Sequence, residues 1–167
     1  GLTGKKLTIL GNGNIGNQLK RVTEAFDMEV TVFKRGDTLS ESVADADIVV
    51  DTLAVNKETI SLLSKEFFQG MRKGSAFISV TRSEIHDSDA LITALDSGHL
   101  KAAAMDCGEA LVGDTEDELY LRFKNHPKVL ATPHIAYSSE VSFIYGNDTM
   151  IGNVEAWING NPQNLLN

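Results

Sequence analysis

The 167-residue chain is short of several things that would send it elsewhere. Cysteine occurs once, at Cys107, so there can be no internal disulfide and no cysteine-rich zinc site. No metal site is expected, and a reducing, cytoplasmic setting fits. No apolar run approaches the roughly 18 residues of a membrane helix, and the N-terminus lacks a signal-peptide pattern, so no membrane partner is expected. Basic residues are in deficit, 15 Lys and Arg against 23 Asp and Glu, and a net charge of −8 argues against nucleic acid held on a basic surface. Repeats and low-complexity segments are also missing.

What is present is an alternation of short apolar runs with helical patterns, the signature of successive βα units. Leu7–Leu10, Val30–Phe33, Ile48–Val50, Ala76–Val80, Ala102–Met105 and Val129–Ala131 read as six strands. Between them, Ile15, Leu19, Val22 and Phe26 recur at helical spacing and give one apolar face. Ser64–Met71 and a segment opened by Asp87-Ser88-Asp89 and closed by Gly98 are further helices, and a long one runs from about Ser138 to Trp157. The acidic stretch after the fifth strand reads as a loop. Six strands joined by right-handed crossovers predict an α/β fold, a Rossmann-type doubly wound parallel sheet with helices on both faces. The first strand begins almost at once, and the chain is expected to be a segment of a longer protein.

Gly11-Asn12-Gly13-Asn14-Ile15-Gly16 is a G-x-G-x-x-G sequence between the first strand and the first helix, the context that gives the motif meaning. The first glycine allows the tight turn and the second lets backbone approach a pyrophosphate. The third lets helix and strand pack closely. Backbone N–H groups around Asn14 and Ile15 can then hold phosphate oxygens at the helix start. At the end of the second strand, where an acidic residue would accept from a ribose 2′-hydroxyl, stand Lys34 and Arg35. Two cations suit a 2′-phosphate, so the expected cofactor is NAD(P), leaning towards NADP.

Downstream, Ile78-Ser79-Val80-Thr81-Arg82-Ser83-Glu84-Ile85-His86-Asp87 resembles the I-N-T-A-R-G-x-x-V-D stretch of D-isomer-specific 2-hydroxyacid dehydrogenases. Ala103-Ala104-Met105-Asp106 is similar to that family's G-A-x-D strand end, and Thr132-Pro133-His134-Ile135-Ala136 to its T-P-H-I-A segment. Asn164-Leu165-Leu166-Asn167 is similar to its N-L-V-N ending. The resemblance covers nearly the whole chain, in order.

Carried over by position, the resemblance implies hydride transfer between a nicotinamide cofactor and C2 of a small D-2-hydroxy or 2-oxo acid. His134 would be the acid–base residue, since imidazole can both give and take a proton near neutral pH. Arg82 would grip the substrate carboxylate. Asp106 would meet the nicotinamide carboxamide, Val80 and Thr81 would lie along the cofactor, and Leu53-Ala54 would line its adenosine side. The family's histidine-orienting glutamate falls at Leu111, so Glu109 is the nearest candidate, with Asp114, Glu116, Asp117 and Glu118 behind it. Ser83 and Glu84 replace two family glycines, which implies a locally rebuilt site or reduced activity.

On the same grounds residues 1–167 are a dinucleotide-binding domain. The substrate domain is largely absent, and a tail of about 158–167 would rejoin it. Such a chain would bind cofactor and barely turn over. A homodimer is expected, and the apolar positions from Phe143 to Trp157 are read as core or subunit contact. The other histidines, His86, His99 and His126, read as ordinary structural residues, and Cys107 as buried and inert. The alternative is a non-catalytic dinucleotide-sensing module of the corepressor type, which the displaced glutamate favours and the retained Arg82 and His134 oppose.

Overall fold

Short runs of Val, Ile, Leu, Ala and Phe become strands when both of their faces are covered, because each side chain then leaves water. The computed structural model describes residues 1–108 and 113–165. In it the strands are β1 (Lys6–Leu10), β2 (Glu29–Phe33), β3 (Ile48–Asp51), β4 (Ala76–Ser79), β5 (Ala102–Asp106) and β6 (Val129–Thr132). All neighbouring pairs are parallel, in the order β2-β1-β3-β4-β5-β6. The chain leaves β1 for β2 on one side and returns to β3 on the other. Crossovers in the two directions fall on opposite faces, and a crevice opens at the carboxyl ends of the strands. This is the doubly wound arrangement that the sequence predicts.

Strand alternation sorts the interior into two apolar layers. Val49, Phe77 and Met105 join the larger one; Ile9, Val50 and Met28 the smaller. Phe77 is fully buried and meets Phe67 and Phe68 edge to face, at 6.1 and 5.2 Å between centroids. Burying one such ring contributes about 1.5–3 kcal/mol.

The helices are α1 (Asn14–Glu24), α2 (Leu39–Val43), α3 (Lys65–Gly70), α4 (Ser88–Asp96), α5 (Glu118–Lys124) and α6 (Glu140–Ile158). Asp87 caps α4 by accepting from the Ala90 amide at 2.9 Å. Two expectations are corrected. Of the predicted apolar face, Ile15 and Val22 on α1 and Phe26 just beyond it are exposed, and Leu19 alone packs, half-buried, against the smaller layer; the buried residues of this helix are Gly16 and Thr23. Close approach at Gly16 puts Gly16 and Thr23 inward and leaves most of the apolar face outward. The acidic segment after β5 also contains α5, capped by Asp117 and anchored by buried Tyr120 and Phe123.

The chain divides into two compact units, Gly1–His134 and Ile135–Asn167. The second holds α6, whose N-cap Ser139 accepts from the Ser142 amide at 3.2 Å. No residue of α6 is buried, so Phe143 and Trp157 are not core. No helix among the described residues is long and apolar enough to cross a membrane.

Candidate functional site

Strand register explains why residues scattered through the sequence meet. Phe33, Leu10, Asp51, Ser79, Met105 and Ala131 form one row across the sheet, each paired with its neighbour. One to three residues beyond that row lie Lys34 and Arg35, Gly11 and Gly13, Leu53 and Ala54, Val80 to Arg82, Asp106, and His134. These described residues therefore share one edge, the carboxyl edge, where open α/β sheets bind ligands.

The turn after β1 is shaped by contact. Gly11 has φ +110°, in the region that favours glycine, and a Cβ there would meet the Thr52 carbonyl oxygen at 3.0 Å. A Cβ on Gly16 would lie 2.2 Å from the Gly11 carbonyl oxygen, so glycine is obligatory at this crossing of helix and turn. Nothing stands within 4 Å of a Cβ at Gly13, the N-cap of α1, so its backbone is open to a ligand. Such a cradle at the start of an 11-residue helix fits a pyrophosphate group.

Beside this turn a cleft of about 620 Å³ is lined by Phe33, Lys34, Arg35, Leu53 and Ala54, among others. A neighbouring hollow of about 500 Å³ runs past Asn14 and Ile15 to Val80, Thr81 and Arg82. A third, of about 280 Å³, is lined by Arg82, Ser83, Glu84 and Gly108. The guanidinium of Arg82 is exposed and has no ion-pair partner among the described residues, which leaves its fork open to a carboxylate. A hollow of about 250 Å³ beside α3 and α4 contains none of the edge residues.

Asp106 is buried at the end of β5, and its Oδ1 accepts from the Thr132 hydroxyl at 2.5 Å. His134 follows two residues after Thr132 and is held at φ +53°, a left-handed conformation unusual for a non-glycine residue. Its amide donates to the Thr132 carbonyl at 3.0 Å. Strain of this kind gathers at functional sites, where surrounding structure imposes it. Glu109 and Leu111 lie outside the described residues. Of the other acids in that loop, Asp117 caps α5 and Asp114 accepts from the Glu116 amide at 2.9 Å.

The remaining histidines are engaged away from the edge. His86 is buried against Phe77 and Phe123, His99 Nε2 lies 2.9 Å from the Met71 carbonyl, and His126 Nε2 is 3.1 Å from Asp96. Burial, with the Asp106 and Asp117 charges in the same direction, pushes the Cys107 thiol up to about 12, so it stays protonated. No group of three or more His, Cys, Asp or Glu among the described residues could hold a metal ion.

Sequence reasoning missed Asp51. Its side chain accepts from the Thr81 hydroxyl at 2.5 Å, the Ser79 hydroxyl at 3.2 Å and the Leu53 amide at 3.0 Å. It thereby ties the loop after β3 to the segment carrying Arg82. Burial pushes its carboxyl above the usual range, and those hydrogen bonds oppose the shift. An aspartate ending the apolar run Ile48-Val49-Val50 is the signal that could have found it.

Comparison with known proteins agrees with this geometry. Residues 1–136 match the family described as D-isomer specific 2-hydroxyacid dehydrogenase, NAD binding domain. The chain is 34% identical over 152 residues to the D-3-phosphoglycerate dehydrogenase of Bacillus subtilis, an alignment covering 83% of this chain and 28% of that protein. It is 32% identical over 144 residues to the 4-methyl-2-oxopentanoate reductase A of Aspergillus oryzae, covering 79% of this chain and 42% of that one. Among solved structures, the pyruvate reductase of Chlamydomonas reinhardtii superimposes with a TM-score of 0.86 at 26% identity, covering 99% of this chain and 57% of that chain. The chain thus spans well under two thirds of these relatives.

Proposed function

The chain belongs to the D-isomer specific 2-hydroxyacid dehydrogenase family, as its NAD-binding domain, and from that premise we propose that it serves an oxidoreductase acting on a small D-2-hydroxy or 2-oxo acid. The backbone of Gly13 to Gly16 holds the cofactor pyrophosphate, and Gly11 shapes the turn. Leu53 and Ala54 line the adenosine side, and Val80, Thr81 and Asp106 the nicotinamide side. Lys34 and Arg35 favour a 2′-phosphate, hence NADP. The nicotinamide group, when bound, gives or accepts the hydride. Arg82 receives the substrate carboxylate and polarises the adjoining carbonyl. His134 donates a proton to the carbonyl oxygen in reduction and takes it back in oxidation, and Glu109 orients the imidazole.

The observation that carries this reading is the shared edge: an open Arg82 fork and a left-handed His134 on the same sheet edge as a glycine cradle. The corepressor-type alternative finds no support among the relatives named above. The working form is a homodimer in the cytoplasm. The exposed apolar positions of α6 from Phe143 to Trp157 support self-association, and the lone cysteine suits a reducing compartment.

The test has two parts. Calorimetry on the chain should detect NADH and NADPH, with NADPH bound more tightly. In the protein that carries this chain as its cofactor domain, His134→Gln should leave cofactor affinity in place and lower turnover by about 10²–10⁴-fold. Unchanged turnover would remove His134 from the reaction. Absence of dinucleotide binding would remove the whole reading.

A further inference from the structure

Counting charges at the end of β2 leaves out what faces them. β2 and β3 both flank β1, with Leu10 in register with Phe33 on one side and Asp51 on the other. The loops that continue these two strands therefore oppose each other across the adenosine side of the cleft. From the β2 side come Lys34 and Arg35; from the β3 side come Asn56 and Glu58, and all four line the same cleft. Arg35 and Glu58, 23 residues apart, close the mouth as an ion pair.

Both partners are set on fixed backbone. Asn56 Oδ1 accepts from the Glu58 amide at 2.8 Å. The Thr59 hydroxyl accepts from the Asn56 amide at 2.9 Å and donates to the Ala54 carbonyl at 2.7 Å. Opposite, Asp37 Oδ2 accepts from the Lys34 amide at 2.7 Å, and the Asp37 amide donates to the Lys34 carbonyl at 3.0 Å. Two crosslinked turns thus deliver the charges to one place. The side chains themselves are 84% and 66% exposed, so the pair is weakly held and readily exchanged.

We infer that Glu58 is the residue that limits the cleft's selection of a 2′-phosphate: it occupies Arg35, which that phosphate must otherwise take. The inference rests on the reading of this cleft as the cofactor site. Glu58 holds one guanidinium nitrogen, Nη2, so a dianionic phosphate must share Arg35 with that carboxylate or displace it, and in either case the carboxylate stays nearby and repels the phosphate. A neutral ribose hydroxyl meets neither obstacle. Lys34 and Arg35 against Glu58 leave the cleft lining with one net positive charge, whereas the β2 end taken alone reads as doubly positive.

The test is calorimetry on the chain and on Glu58→Gln, which keeps the side-chain shape and removes its charge. The ligands are NADH, NADPH, 5′-AMP and 2′,5′-ADP; the last two isolate the 2′-phosphate. NADPH and 2′,5′-ADP should bind about two- to fivefold more tightly to the variant at low salt, with NADH and 5′-AMP unchanged. The gain should shrink in about 0.5 M salt and disappear when Arg35→Gln is added. An equal change for both dinucleotides would make Glu58 a structural part of its turn. Weaker NADH binding alone would make it a ribose ligand. Either result, or no change at all, overturns the inference while leaving the cofactor site in place. If the parent chain binds neither dinucleotide, the site reading falls and takes this inference with it.

Discussion

Acid should loosen this fold through one residue, His86. Its ring is 6% exposed, edge-on to Phe77 at 6.4 Å and to Phe123 at 6.3 Å between centroids. The Ser88 hydroxyl lies 3.4 Å from Nδ1. Burial lowers the imidazole to about 4, outweighing the Asp87 and Glu84 charges that pull it upward. In the unfolded chain the same group titrates at its ordinary 6.5. Between those values the unfolded chain binds a proton that the folded one refuses. The contribution is thus fully present above pH 6.5 and is lost as pH falls towards 4. The difference of 2.5 pH units corresponds to about 3 kcal/mol at the acid end. Near pH 5 about 2 kcal/mol of it should be gone, a large share of a typical domain's 5–15 kcal/mol.

Urea unfolding measures this directly. With a slope of about 2 kcal/mol/M, the midpoint of the parent chain should fall by about 1 M between neutral pH and about pH 5 from this group alone. His86→Leu keeps an apolar side chain of similar bulk and cannot titrate. It should reduce that dependence by the His86 share, while every other titrating group contributes equally to both proteins. Parallel midpoint profiles for the two proteins would refute the argument that a neutral buried imidazole stabilises the fold.

Gly16→Ala should destabilise the chain by several kcal/mol and abolish dinucleotide binding, because its Cβ would sit 2.2 Å from the Gly11 carbonyl oxygen; thermal melting with calorimetry reads both effects. Asp51→Asn should act in the opposite sense. The raised carboxyl favours folding below its ordinary 3.8, and that advantage is lost as pH rises, so the uncharged amide should raise the neutral-pH urea midpoint and do less in acid. A lower midpoint at neutral pH would mean that the hydrogen bonds to Thr81, Ser79 and Leu53 depend on the charge.

How much of this could be read from the sequence follows from where each signal resides. Each strand of this sheet is a local apolar run, so all six were legible, the edge strands β2 and β6 included although neither holds a buried residue. The glycine turn was legible because its demands fall within six residues, and the other described edge residues were legible as candidates because each closely follows a strand. Helix α5 escaped because its buried Tyr120 and Phe123 are two positions inside an acidic stretch. The face of α1 was misjudged because periodicity locates an apolar stripe without saying what lies opposite it. Asp51 showed only as an aspartate ending an apolar run, and Glu58 not at all, for a deeper reason. Asp51 gains its meaning from Ser79 and Thr81, 28 and 30 residues away, and Arg35 from Glu58, 23 residues away. Strand register makes those pairs, and no local pattern encodes it. Charge counted along a chain therefore need not equal the charge a ligand meets. Lys34 and Arg35 contribute two cations to the sequence, but Arg35 reaches the cleft already paired with a carboxylate from across it.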